Sequence, residues 1–386
     1  MNLDRDEEQR LLADSVERLL ARDYGFDARR RIVASEGGWS PGVWASFAEL
    51  GLLGLGVHPD YGGFGSGAAT TQIAMEAIGE ALVVEPYLAT VGLGARLIER
   101  GASAARRVDW LGRIVAGHAI VAVATTERDA RFDLARVTTR ARRDGSYYVL
   151  DGEKRVVLHA PQADVLLVSA RTRGDAADAQ GVGLFLVDPR AAGVTLAPCR
   201  TLDNVRAADV TLAGVRVHQD DRLGDDGAAW PLLDEAFDYA TALLCAEAVG
   251  ALRHANAATL EYLKERRQFG VPIGSFQALQ HRMVDMTLSY EQARSMAALA
   301  AATVDQPQDP VQRRRIVSAA KVRIADAARH VSQEAVQLHG GMGMTDELKI
   351  SHTFRRLTVI AQQFGDADYH LRRFAACDTG PRGETP

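Results

Sequence analysis

Cysteine is scarce in this chain. Cys199, Cys245 and Cys377 are spread over 386 residues, form no Cys-x-x-Cys pair and leave one unmatched. That excludes a disulfide framework and a thiolate zinc site, and it fits a reducing compartment. Long apolar runs are missing too: none approaches the ~18 residues of a membrane span. The opening Met1-Asn2-Leu3-Asp4-Arg5-Asp6-Glu7-Glu8 is acidic where a signal peptide would be basic and then apolar. These absences predict a cytoplasmic protein without a membrane span. Basic charge is not in excess, and a formal net charge of −5 argues against electrostatic capture of nucleic acid. The runs Arg29-Arg30-Arg31 and Arg313-Arg314-Arg315 read as solvated helix faces.

Apolar material is plentiful. With 47% hydrophobic residues, a chain of this length fills the cores of two or three domains. Residues 1–118 read as an N-terminal helical domain. Asp4 followed by Glu7 predicts a capping box at the first helix. Ser40 and Pro41 predict an N-cap and first helical position, with Gly51 closing that short helix. The glycine-rich loop 61–67 lacks both the Gly-x-Gly-x-x-Gly spelling and a preceding strand, which excludes a dinucleotide fingerprint.

Residues 119–225 change period. Short β-type runs at 119–125, 137–142, 147–150, 165–170, 182–187 and 210–217 predict a small barrel or sandwich, with a hairpin at Asp144-Gly145. Residues 226–377 return to helical spacing. Patterns at about 231–267 and 276–304, a third opened by Asp309-Pro310 and stopped at Gly340-Gly341, and a last one after Gly365 predict a four-helix bundle. Residues 378–386 read as a disordered tail.

One segment carries most of the chemistry. Glu265-Arg266-Arg267-Gln268-Phe269-Gly270 joins two long helical patterns through a Phe-Gly turn with two guanidinium groups just before it. Fixed cations at a broken helix end can hold a phosphate-bearing cofactor by charge-assisted hydrogen bonds. The same pair can also be a solvated cap on the helix dipole. The spelling of this turn resembles the Arg-x-x-Phe-Gly turn of the acyl-CoA dehydrogenase family. A second family segment follows at Gln337-Leu338-His339-Gly340-Gly341.

The resemblance implies the family's mainly α architecture with a central β-domain: N-terminal helices, a β-barrel and a C-terminal four-helix bundle. It implies FAD as cofactor, an acyl-CoA thioester as substrate, an electron-transferring flavoprotein as acceptor, and an oligomer. It places Arg266, Gln268, Phe269 and Gln277 on the FAD-contacting turn and the start of the next helix. Gln337, Gly340 and Gly341 fall on the run that reaches the ADP part of FAD across a subunit interface. In the β-domain Thr126 and Glu127 match the family's Thr-Glu pair, whose Thr contacts the flavin.

The departures are specific. Arg131 and Phe132 replace a small Gly-Ser pair whose Ser meets the CoA substrate in the family. Where the family has Lys-x-Trp-Ile-Thr facing the flavin, the chain reads Lys154-Arg155-Val156-Val157-Leu158, without the aromatic ring or the hydroxyl. The family's catalytic Glu sits in most members before the last helix and in a minority on the first bundle helix, and these positions hold Phe364 and Ala240. Asp366 reads as a helix N-cap. Asp238 points to another helix face than Ala240. The catalytic base is therefore unassigned. One consequence is the companion (small) subunit of a heteromer whose Glu-bearing homologue supplies the base. The alternatives are a self-sufficient homo-oligomeric dehydrogenase with a displaced base, and a flavin monooxygenase on the same scaffold, which needs no such base.

Overall fold

The computed structural model describes residues 5–306 and 309–378. In chain order the helices are α1 (Glu7–Asp23), α2 (Phe26–Ala34), α3 (Pro41–Glu49), α4 (Ala68–Ala81), α5 (Arg96–Gly101), α6 (Ala104–Val115), α7 (Trp230–Glu265), α8 (Gln277–Val304), α9 (Pro310–His339), α10 (Lys349–Gln362) and α11 (Ala367–Asp378). The chain divides into two compact units. A helical unit gathers Met1–Arg30, Ala68–Val83 and Thr241–Pro386, and a sheet unit gathers Arg31–Gly67 and Val84–Ala240.

In the helical unit, local caps set the helix ends. The predicted capping box at Asp4 and Glu7 is corrected: Asp4 lies outside the described residues, and the box is built by Asp6 and Gln9. Asp309 caps α9 as expected, accepting from the Val311 amide with Pro310 in the first turn. Close helix packing depends on missing side chains. A Cβ on Gly79 of α4 would lie 1.9 Å from the Glu247 carbonyl oxygen of α7, and one on Gly250 would lie 1.8 Å from that of Glu76. Two glycines thus let α4 and α7 touch backbone to backbone. Alanines do the same more loosely along α8 and α9, where Ala297, Ala300, Ala301, Ala320, Ala327 and Ala328 are buried. The helix α10 was not anticipated as a separate element; it precedes the expected last helix, α11.

The sheet unit holds β1 (Val121–Ala124), β2 (Arg140–Asp144), β3 (Tyr147–Leu158), β4 (Val165–Arg171), β5 (Val182–Val187), β6 (Val194–Arg200), β7 (Arg206–His218) and β8 (Arg222–Leu223). They form one 8-stranded sheet in the order β6-β7-β3-β2-β4-β5-β8, with β1 parallel to β4. The Asp144-Gly145 signal is met, because Asp144 pairs with Tyr147 across the β2–β3 hairpin. Strand β6 escaped the sequence reading. It is an edge strand, mostly exposed and interrupted by Pro198, so it shows no clean alternation of apolar residues. The short helix α3 follows expectation: the Ser40 side chain accepts from the Val43 amide and Pro41 is the first helical residue.

Candidate functional site

The Arg-Phe-Gly segment is a miniature hairpin. Helix α7 ends at Glu265, and then β9 (Arg267–Gln268) pairs with β10 (Val271–Pro272) in the register Gln268 to Val271. Phe269 and Gly270 form its turn with φ of 54° and 82°. Two consecutive left-handed residues are the signature of the primed turn that suits hairpin twist. Such a turn normally carries Asn-Gly, and a Phe in the first position costs about 1–2 kcal/mol. The Phe269 side chain is nonetheless 91% exposed, with an edge contact to Phe276 at 6.1 Å. Arg266, Arg267, Gln268 and Gln277 are exposed as well. The base of the hairpin is fastened by the Ile273 amide donating to the Arg266 carbonyl at 2.8 Å.

The Gln337-to-Gly341 run lies at the end of α9. Leu338 and His339 point inward, while Gln337, Gly340 and Gly341 are exposed. Gly340 has φ of 61°, and a Cβ on either glycine would meet nothing within 4 Å. The two segments, distant in sequence, are brought together by a contact that the motifs did not reveal. The Tyr262 ring stacks on the His339 imidazole, centroids 4.4 Å apart at 25°, which sets the ends of α7 and α9 side by side. Tyr262 also accepts the Arg266 amide through its carbonyl at 2.9 Å. The available signal was positional: Tyr262 lies one helical turn before Arg266, and His339 sits inside the second motif. Burial lowers the His339 pKa, so its ring is held toward the neutral form.

In the sheet unit Thr126 is exposed and Glu127 is buried. Glu127 accepts from Lys154 Nζ at 2.6 Å, from the Thr138 amide at 2.7 Å and the Thr139 amide at 3.1 Å, and from the Thr138 hydroxyl. Lys154 is fully buried and also donates to Ser169 Oγ at 3.0 Å. Burial opposes the charge on Glu127, but Lys154 and the Thr138 donors outweigh it and hold the carboxyl well below its usual range. Burial lowers Lys154, with Glu127 partly offsetting the effect. This pair mounts the start of the loop carrying Arg131 and Phe132 onto β3. The far side of that loop is tied by Arg171, whose guanidinium donates to the carbonyls of Ala135, Val137, Ala176, Asp178 and Gln180.

Two residues past Lys154 the strand bulges. Val156 has φ of 48° and is 51% exposed. A β-branched residue with positive φ is strained. Asp209 braces it, accepting the Val156 amide at 2.8 Å and pairing with Arg155 at 3.0 Å.

Neither candidate base position carries an ionisable group. Ala240 is fully buried in α7. Phe364, with φ of 62°, precedes Gly365 in the short α10–α11 connection. Asp366 accepts the Tyr369 amide at 2.7 Å, which is the N-cap geometry expected of it.

Comparison with known families covers nearly the whole chain. Residues 6–118, 122–221 and 227–376 match the acyl-CoA dehydrogenase N-terminal, middle and C-terminal domains. The L-prolyl-[peptidyl-carrier protein] dehydrogenase of Pseudomonas fluorescens is 33% identical over 81% of this chain and 83% of its own. Among solved structures, the FAD complex of PigA has a TM-score of 0.90 at 27% identity, covering 97% of this chain and 98% of that one. A chain of the ChsE4-ChsE5 complex from Mycobacterium tuberculosis has a TM-score of 0.88 at 26% identity and covers 100% of both.

Proposed function

The chain belongs to the acyl-CoA dehydrogenase family, and we propose that it serves as the base-lacking companion subunit of a heteromeric, FAD-dependent acyl-CoA dehydrogenase. The observation that carries this reading is an asymmetry between what the chain presents outward and what it keeps at its own reaction positions. Arg266, Gln268, Phe269, Gln277, Gln337, Gly340 and Gly341 all face outward. By the resemblance, Phe364 and Ala240 fall where the family has its carboxylate.

The donor set of the helical unit fits the pyrophosphate end of FAD. Arg266 supplies a permanent cation, Gln268 and Gln277 supply amides, and the open backbone at Gly340 and Gly341 allows close approach. The ring end fits less well. Thr126 is exposed, but Val156 and Leu158 provide neither the aromatic wall nor the hydroxyl of the family motif. When bound, FAD supplies the acceptor for the β-hydrogen of an acyl thioester. Taking the α-proton is left to a carboxylate, which in this reading a homologous subunit contributes. The similar ChsE4-ChsE5 structure is likewise a complex of two named components. Transfer onward to an electron-transferring flavoprotein belongs to the same reading.

A self-sufficient enzyme with a displaced base is the second reading. It draws on the intact Glu127–Lys154 mount and the braced Val156 bulge, which keep the sheet unit's loops in a defined shape. Co-expression with a Glu-bearing homologue separates the two. Light scattering, flavin absorbance and an acceptor-coupled assay should show little FAD on the lone chain, and about one FAD per pair in an α2β2 assembly. A lone chain saturated with FAD that oxidises acyl-CoA at about 1 s⁻¹ or faster refutes the companion reading.

A further inference from the structure

We infer that Lys321 and His370 are positioning residues that fix the side chain at 364, whatever that side chain is. The inference rests on the resemblance that puts position 364 where the family carries its base. The connection between α10 and α11 turns through two consecutive positive-φ residues, Phe364 at 62° and Gly365 at 125°. A backbone of that shape turns its carbonyls away from the helix ladder. Here buried side chains take them. Lys321 Nζ donates to the Gly365 carbonyl at 2.7 Å and to that of Ala361 at 3.2 Å. His370 Nε2 lies 3.2 Å from the Phe364 carbonyl. A carbonyl only accepts, so the imidazole carries its proton on Nε2 and its Nδ1 accepts from Ser318 Oγ at 3.2 Å.

Both clamps are deep in the helical unit, Lys321 with no exposed surface and His370 with 1%. Burial pushes the His370 pKa down to about 3, so it stays a neutral, single-tautomer donor. Lys321 has no ion pair among the described residues; the titratable groups near it are Cys245, Asp366 and His370. A buried ammonium not paired directly with a carboxylate is costly. Methionine would fill the same space more cheaply if packing were all that was needed, and this lysine instead ends on the loop's carbonyls. The loop cannot relax toward α11. A Cβ at Gly365 would lie 2.5 Å from Tyr369 Cδ1 and 2.6 Å from His370 Nε2. Position 364 is thus held from behind by the backbone, through contacts that do not involve its own side chain.

The test places 4-trifluoromethylphenylalanine at 364 in the full chain and reads 19F line shape together with amide exchange. One narrow line is expected in the parent. Lys321→Met and His370→Leu should split or broaden that line, and should speed exchange of the Gly365 amide, which donates to the Gln362 carbonyl, about a hundredfold. His370→Gln keeps an N–H donor and should restore the single line, a rescue that a general packing role does not predict. A narrow, unshifted line in folded Lys321→Met and His370→Leu overturns the inference. So does exchange that rises evenly through α9 and α11. If Lys321→Met does not fold, the two His370 variants decide. Phe364→Glu in a flavin-loaded heteromer is read separately: with an intact clamp, no gain in dehydrogenation rejects the idea that only the base is missing and leaves the clamp standing.

Discussion

Replacing Lys154 by methionine removes a buried cation at nearly constant volume. The structure sets what is left behind. Glu127 keeps its Thr138 and Thr139 donors but loses the 2.6 Å contact to Nζ, and Ser169 loses its donor at 3.0 Å. A carboxylate stranded in this way costs about 3–5 kcal/mol. At ~2–4 °C per kcal/mol for a unit of this size, the sheet unit should melt about 6–20 °C lower. The double variant Lys154→Met with Glu127→Gln removes both charges and should recover at least half of the loss. Differential scanning calorimetry suits the measurement, because two compact units need not unfold together. The acid limb has a definite sign. The folded pKa of Glu127 is depressed, so its contribution is present above about pH 4.5 and is lost as pH falls toward about 2. The methionine variant should lose that part of the acid sensitivity. A single variant destabilised by under about 1 kcal/mol, or a double variant no better than the single, refutes the account of a mutually dependent pair.

Further outcomes can be checked alongside it. Arg266→Ala in the complete assembly should weaken FAD retention about ten- to a hundredfold, the loss of a charge-assisted contact of ~1.5–3 kcal/mol, while Arg267→Ala changes it little; equal flavin content in both counts against the assignment. Phe364→Glu should give at most a small gain in dehydrogenation, well short of the ~10²–10⁴ of a well-placed base, because Val156, Leu158, Arg131 and Phe132 also depart from the family surfaces. Phe269→Asn should relieve turn strain by about 1 kcal/mol and yet lower FAD content in the assembly; a variant no more stable and no poorer in flavin shows that the exposed ring has no role.

Local signals in the sequence were sufficient wherever one residue decides a backbone conformation. Ser40-Pro41, Asp309-Pro310, Asp144-Gly145 and Asp366 each met its expected partner, because caps and tight turns are satisfied within a few residues of chain. The long periods of α7, α8 and α9 were legible for the same reason: helical hydrogen bonds are local, and burial repeats with the turn. Strand β6 was not, since an exposed edge strand borrows its order from β7. Helix α10 (Lys349–Gln362) is likewise not set apart as a separate element by the sequence pattern.

The site divides along the same line. Spelling alone marked the Arg266 turn and the Gln337-to-Gly341 run as candidates, and the resemblance pointed to Phe364 and Ala240 as the positions where a base is expected. What only the tertiary structure decided is how those positions are held. The Tyr262–His339 stack, the Glu127–Lys154 pair, the Arg171–Ala135 contact and the Lys321–Gly365 contact join residues from tens to nearly eighty positions apart. Each is a buried polar or aromatic contact whose strength comes from exclusion of water. That exclusion exists only once the surrounding helices and strands have packed, so no pattern in the linear chain announces it.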